Sequence, residues 1–123
     1  MPKFEPKKSG RLNLKFTQEK STRSRSDKQE RRLAERFGGH KSINSGATFS
    51  QNDVFTAKEE IEAKTTRMKS YSLSVKELEK LRERTDPGKI PVFVIEFEEH
   101  ALEIACIDID TYKDLRDGNF KTD

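Results

Sequence analysis

The sequence is poor in cysteine and has no long apolar run. Cys106 is the single cysteine among 123 residues, which excludes an internal disulfide and a cysteine-based zinc cluster. Its neighbours Ala105 and Ile107 are apolar, and this setting predicts a core position in a reducing compartment. No apolar run approaches the roughly 20 residues of a membrane span, and the N-terminus lacks the apolar stretch of a signal peptide. We therefore expect a soluble protein of the cytoplasm.

Apolar residues are also scarce, at 31% of the chain against 38% charged residues. A chain of this length has room for one domain with one small core. A monomer of this size buries only about two-thirds of its unfolded surface. A partner chain or nucleic acid would add to so small a core, and part of the chain need not join it.

The net charge of +3 is unevenly distributed. Residues 1–32 hold eleven Lys or Arg and four Asp or Glu, whereas the remaining residues hold fourteen and eighteen. Residues 1–25, with two prolines and a Ser/Arg-rich stretch, predict a flexible basic arm, in which only Leu12, Leu14 and Phe16 alternate as an edge strand would. A basic arm indicates a polyanion such as nucleic acid, with Arg23 and Arg25 as candidate DNA contacts. A solubilising tail is the equally favoured alternative.

The residues after the arm predict one helix and three short strands. Ser26 or Asp27 can cap a helix that runs to about Phe37, where Gly38-Gly39 ends it. Strands are expected over residues 40–44, 53–57 and 60–66, with a tight turn at Lys58-Glu59. The apolar side chains expected to face the core are Leu33, Ala34, Phe37, Val54 and Ile61, and Glu30 lies near the same face of the helix.

The second half predicts a helix, two strands and a last helix. Ser74 and Glu77 form a capping box, and Asp86-Pro87-Gly88 ends that helix. Residues 90–95 are a continuous apolar run typical of a strand that is buried on both faces. Leu73, Leu78 and Leu81 supply the apolar stripe of the helix, the last strand spans residues 102–107, and the last helix spans about 110–116. The order α-β-β-β-α-β-β-α predicts an α/β fold with a mixed sheet flanked by helices.

One group of charged residues carries the chemistry. Glu62 and Lys64 are two apart on a predicted strand, so they share one face of the sheet. Asp53 opens the preceding strand, and the hairpin brings it toward them. Two carboxylates suit Mg²⁺, which prefers oxygen ligands, lowers the pKa of bound water and stabilises charge on a phosphate. A lysine beside them can orient or deprotonate the attacking water, or neutralise the phosphate. The alternative for so short a pattern is a solvated hairpin with a salt bridge.

The chain also resembles the PD-(D/E)XK nuclease superfamily, and within it the archaeal-type Holliday junction resolvases and their phage relatives. The resemblance covers about residues 29–97. Two departures are that Asn52 replaces the usual proline and that the nine residues from Asp53 to Glu62 are few for a resolvase. The matching pieces are Glu30-Arg31, Ser45-Gly46-Ala47, Asp53 with Glu62-Ala63-Lys64, and a last segment that contains Leu73-Ser74, Leu78-Glu79-Lys80-Leu81 and Gly88-Lys89-Ile90-Pro91-Val92.

The resemblance implies a restriction-endonuclease-like domain over residues 26–123 that cuts branched DNA in recombination or repair. It implies a homodimer, Mg²⁺ with Mn²⁺ as a substitute, and a prokaryotic or phage origin. Glu30 would complete the catalytic and metal-binding acids, Asp53 and Glu62, and Ser45 would approach the DNA backbone. A dimer is also reasonable because two symmetric cuts need two sites. Further candidate DNA contacts are Lys41, Arg67, Lys69 and Tyr71, although Tyr71 is equally placed to pack on the second helix.

Three other functions remain open. A nuclease of the same fold could act on duplex, nicked or flapped DNA, since substrate geometry is not determined by the catalytic residues. A DNA-binding module without catalysis could retain the acids for structure alone. A protein that binds RNA or another protein is the third alternative, although the sequence contains no aromatic ribonucleoprotein motif.

Overall fold

The computed structural model describes residues 23–42 and 52–119, and the predicted order of helices and strands is confirmed there. The strands form one mixed five-stranded sheet in the order β1-β2-β3-β4-β5. The pair β3–β4 is parallel, and the other three pairs are antiparallel. The elements are α1 (residues 23–37), β1 (His40–Lys41), β2 (Val54–Phe55), β3 (Glu59–Thr66), α2 (Val75–Arg84), β4 (Ile90–Phe97), a 3-10 turn (Glu98–His100), β5 (Leu102–Cys106) and α3 (Ile109–Asp117).

Helix α1 begins earlier than the sequence predicts. It includes residue 23, so neither Ser26 nor Asp27 is its N-cap. The reason is tertiary: Arg25 Nε lies 2.5 Å from Glu98 Oε2 in the 3-10 turn, and Asp27 Oδ1 lies 3.5 Å from Lys41 Nζ. These contacts hold the first turns of the helix against the sheet. The remainder of the arm, including Leu12, Leu14 and Phe16, lies outside the described residues.

The sheet core separates into two clusters, one on each face. On one face Leu33 and Ala34 of α1 pack with Val54, Ile61, Ala63 and Val94. On the other face Leu81 of α2 packs with Phe93 and Ile95, and Tyr71 and Leu73 complete the cluster. Alternation along β4 explains this division, because successive side chains point to opposite faces. The expectation that β4 is buried on both faces is therefore confirmed.

Some apolar positions are more exposed than predicted. Phe37 is 48% exposed and Leu78 is 37% exposed, because each lies at the rim of the surface that its helix buries. Cys106 is only partly buried and packs at the edge of the cluster formed by Leu81, Phe93 and Ile95. Helix α3 has no buried residue at all.

Strands β1 and β2 are shorter than the sequence predicts, and the turn of the hairpin that joins β2 to β3 also differs. Strand β1 contains two residues, and the predicted end at Asn44 lies outside the described residues. Strand β2 ends at Phe55, because Thr56 Oγ1 accepts hydrogen bonds from the amides of Lys58 and Glu59 at 3.0 and 2.9 Å. A hydroxyl that binds nearby amides favours a turn over an extended strand. The turn therefore spans Thr56 to Glu59, and β3 begins one residue earlier than predicted.

Gly39 sets the distance between the end of α1 and the hairpin. Its amide donates to Ala34 O at 2.8 Å and ends the helix. A Cβ at this position would overlap the Phe55 carbonyl and lie 2.5 Å from Thr56 Cγ2. Helix and strand can approach this closely only because residue 39 has no side chain.

We expect Gly39→Ala to lower the free energy of unfolding by about 1–3 kcal/mol, because the clash involves backbone that must move. Urea denaturation measures this. Gly38→Asn is the control, since Gly38 has φ +68 with open space around it and Asn tolerates that conformation. Equal stability of the two variants would contradict the close packing.

Candidate functional site

The predicted centre of the site lies on the hairpin that β2 and β3 form. Asp53 Oδ2 accepts a hydrogen bond from the Ala63 amide at 2.9 Å, which places the Asp53 carboxylate beside the residues on either side of Ala63. Lys64 Nζ lies 3.6 Å from Glu62 Oε2. The prediction that Glu62 and Lys64 share a face and that Asp53 approaches them is confirmed.

Backbone hydrogen bonds hold Asp53 on both sides. Its amide donates to Ile61 O at 3.0 Å, and its carbonyl accepts from the Ser42 amide at 2.9 Å. The adjacent Asn52 is 1% exposed, and its amide group donates to Glu60 Oε1 at 2.9 Å. The short separation between Asp53 and Glu62 is therefore sufficient, because a firmly held hairpin brings the two together.

Glu30 approaches the site from α1. Its carboxylate is affected by the charge of Asp53, but its nearest ionic partner is Lys41, with Nζ 3.5 Å from Oε1. Lys41 also lies 3.5 Å from Asp27. Lys41, predicted to contact DNA, therefore neutralises α1 carboxylates in this arrangement.

The pKa of each of the three acids, Glu30, Asp53 and Glu62, is raised above its ordinary value. Burial raises the pKa of Asp53, and the Ala63 amide and the charge of Lys64 only partly offset it. Burial, and then the charge of Asp53, raise the pKa of Glu62. The same two causes raise the pKa of Glu30. Ionising all three is therefore unfavourable without added positive charge.

The raised pKa values of these carboxyl groups predict how the free energy of unfolding depends on pH. A carboxyl group whose folded pKa is raised binds more protons in the folded state, so its contribution falls as pH rises above the ordinary values of 3.8 for Asp and 4.5 for Glu. Without divalent cations, we expect Asp53→Asn to become more stable relative to the wild type as pH rises toward 7. Urea denaturation of both proteins at several pH values tests this. A difference that does not change with pH would contradict it.

The carboxylates of Asp53 and Glu62 provide only part of the ligand set that a hard divalent cation needs. No group of three His, Cys, Asp or Glu side chains in residues 23–42 and 52–119 is arranged to hold a metal ion. Mg²⁺, however, is commonly bound by one or two carboxylates with waters and substrate phosphate as its other ligands. Asp53 and Glu62 supply such a pair, and a cation between them would offset both the burial and the repulsion from Asp53 that raise the pKa of Glu62.

A cleft of about 170 Å³ adjoins Glu62 and Lys64, between β3 and α2. We call it the β3–α2 cleft. Leu81 and Phe93 form apolar parts of its wall. Its charged lining residues are Glu62, Lys64, Glu77, Lys80 and Arg84.

Sequence reasoning missed three residues around this site. Lys80 and Arg84 were not distinguished from the other cations of α2, because only the packing of α2 on β4 shows which cations face the cleft. Gln29, 1% exposed, donates from Nε2 to the Lys64 carbonyl at 2.9 Å and ties α1 to β3. Its position beside Leu33 on the core face was the available signal.

The remaining candidate DNA contacts have varied surroundings. Arg67 and Lys69 are exposed just after β3, and Arg23 is exposed at the start of α1, whereas Arg25 is paired with Glu98. Tyr71 packs against Phe93 and donates to Glu77 Oε2 at 2.9 Å. Burial and Glu77 raise the pKa of Tyr71 to about 12. The packing alternative therefore describes Tyr71, and Ser45 lies outside the described residues.

Two further observations bear on function. Within residues 23–42 and 52–119, no helix combines the length and the apolarity needed to cross a membrane. Comparison with protein-family models, curated proteins and solved structures gave no match to this chain. Function is therefore inferred from the chemistry of the hairpin acids, Lys64 and the β3–α2 cleft.

Proposed function

We propose that the protein is a divalent-metal-dependent DNA endonuclease with a restriction-endonuclease-like fold, and that it prefers four-way junctions. The observation that carries the proposal is the hydrogen bond from the Ala63 amide to the Asp53 carboxylate. It brings Asp53 beside Glu62 and Lys64, and two carboxylates with a lysine suit the hydrolysis of a phosphodiester. The basic N-terminal segment supports DNA as the substrate.

In this mechanism Asp53 and Glu62 would hold Mg²⁺, or Mn²⁺ in its place. The bound ion would lower the pKa of a water and stabilise negative charge on the phosphate. Lys64 positions the attacking water and neutralises the phosphate with its ammonium, which lies next to Glu62. Glu30 completes the acidic surroundings, and Gln29 fixes the backbone of Lys64.

A homodimer is part of the proposal, because a four-way junction needs two symmetric cuts and a two-fold pair supplies two sites. Exposed apolar side chains on β5 and α3 support it, since a second copy would bury them. Leu102, Ile109 and Tyr112 are 51%, 72% and 54% exposed, respectively.

A second candidate function is a DNA-binding module without catalysis. The observation that favours it is that the Asp53 carboxylate already has a structural role, because it accepts the Ala63 amide at 2.9 Å and joins the two strands of the hairpin. The acids would then serve only to hold the hairpin.

Cleavage of a four-way junction and of linear duplex of the same sequence tests these alternatives. Each DNA is incubated with the protein and Mg²⁺, Mn²⁺ or a chelator. The proposal predicts metal-dependent cuts that are faster on the junction. Equal rates on both substrates would indicate the duplex nuclease, and binding without cleavage would indicate the non-catalytic module.

A further inference from the structure

Two cations on α2 face the β3–α2 cleft from the side opposite the sheet. Lys80 and Arg84 are four residues apart, so they lie on one stripe of the helix. Both line the cleft with Glu62 and Lys64. The charge of Arg84 reaches across it, because Arg84 acts on the ionisation of both Asp53 and Glu62.

Neither cation forms a close ion pair in the part of the chain that the structure describes, although the charge of Arg84 acts on Asp53 and Glu62. Lys64, Lys41 and Lys89 each lie within 4.0 Å of a glutamate oxygen, whereas no ion pair to Lys80 or Arg84 occurs within residues 23–42 and 52–119. Two like charges at this spacing repel each other and disfavour the helix. A bound anion would relieve that repulsion.

The size and the charge of the cleft favour a phosphate group. Its volume of about 170 Å³ corresponds to roughly five or six waters at about 30 Å³ each, enough for a phosphate with part of its hydration. Three lining cations stand against two lining carboxylates. One of those carboxylates, Glu77, already accepts from the Tyr71 hydroxyl. An arginine can bind two phosphate oxygens at once, and a lysine adds a point charge.

We infer that Lys80 and Arg84 form a phosphate-binding site, which holds a backbone phosphate of the DNA strand to be cut, opposite the Asp53–Glu62 pair. The inference rests on the proposed function for the identity of the substrate. The strand then lies in the β3–α2 cleft, between the carboxylates of the sheet and the cations of the helix. Arg84 and Lys80 bind the substrate but move no proton.

A matched pair of variants tests the site. K80A/R84A removes two cations from the cleft, and K76A/R82A removes two cations from the same helix outside it. The control matches in position as well, because Arg82 and Arg84 both lie in the last turn of α2, where cations favour the helix dipole. Circular dichroism and urea denaturation confirm that each variant is folded.

The first measurement is DNA binding without divalent cations, by fluorescence anisotropy at several salt concentrations. We expect K80A/R84A to weaken binding and to reduce the slope of log K against log salt by about 1.5–2, since each lost phosphate contact removes nearly one unit. The control should change the slope little. Equal losses in both variants, or no loss in either, would overturn the inference.

The second measurement is independent of DNA and of cleavage. Inorganic phosphate is titrated into metal-free protein while the Arg84 Nε–Hε resonance is followed by NMR. A saturable shift that is absent for Arg82 is expected, and an unchanged Arg84 resonance would overturn the site. If the wild type binds phosphate at Arg84 but cuts no DNA with Mg²⁺ or Mn²⁺, the proposed hydrolysis fails while the phosphate site stands.

Discussion

Asp53→Asn and Glu62→Gln are each expected to reduce Mg²⁺-dependent DNA cleavage to background while leaving the fold and DNA affinity nearly intact. Each change removes a charged ligand for the metal, whereas affinity depends on contacts between cations and phosphates. The side chain introduced by Asp53→Asn retains an oxygen that can accept the Ala63 amide, so the hairpin keeps its geometry. Binding should tighten slightly, because a negative charge near the phosphates is lost.

Single-turnover cleavage at saturating Mg²⁺ measures this effect, with DNA binding measured in parallel. Glu83→Gln is the control, since Glu83 is an exposed carboxylate on α2 and does not line the cleft. Its rate should match that of the wild type. Wild-type turnover in Asp53→Asn or Glu62→Gln would remove the basis for the active-site assignment.

Lys64→Ala is expected to slow the same single-turnover reaction by about 10²- to 10⁴-fold, the usual contribution of a positioned group that assists proton transfer. If Lys64 formed only an exposed ion pair with Glu62, the change would cost about 0–1 kcal/mol of stability and no activity. Metal binding should survive, because both carboxylates remain and a cation near the metal has been removed.

Two companion variants sharpen the test of Lys64. Lys64→Arg should not restore the rate, because the guanidinium is larger and planar and cannot take the position from which the compact ammonium of Lys64 orients the attacking water. Lys58→Ala removes an exposed cation from the turn of the same hairpin and should be as active as the wild type. Calorimetric titration with Mg²⁺ accompanies each assay. Full activity in Lys64→Ala would contradict the role assigned to this residue.

Local patterns in the sequence were sufficient for much of the fold. The capping box of α2 is present as predicted, with the Ser74 hydroxyl accepting from the Glu77 amide at 3.1 Å. Val54 and Ile61 are buried and are register partners in the hairpin. Period-2 alternation was also sufficient to place Glu62 and Lys64 on one face. Each of these features depends on residues that are close in sequence.

Features that depend on distant contacts could not be predicted. The first turn of α1 is held by Arg25 and Glu98, which are 73 residues apart. The pairing of Glu30 with Lys41 depends on how α1 packs against the hairpin, so the sequence could not show that Lys41 neutralises a predicted catalytic acid. Recognition of Lys80 and Arg84 as cleft residues required the packing of α2 on β4. Helical spacing alone groups Lys80 and Arg84 with Lys76 on one stripe, but it does not show which of these cations line the cleft.

The most direct test of the central claim is incubation of the wild-type protein with a labelled four-way junction in Mg²⁺, in Mn²⁺ and in a chelator, with the products separated on a denaturing gel. We predict discrete cuts in Mg²⁺ and Mn²⁺, none with the chelator, and restoration of cutting when excess Mg²⁺ is added back. The absence of cleavage of the junction, of duplex and of flapped DNA with either metal would contradict the nuclease assignment.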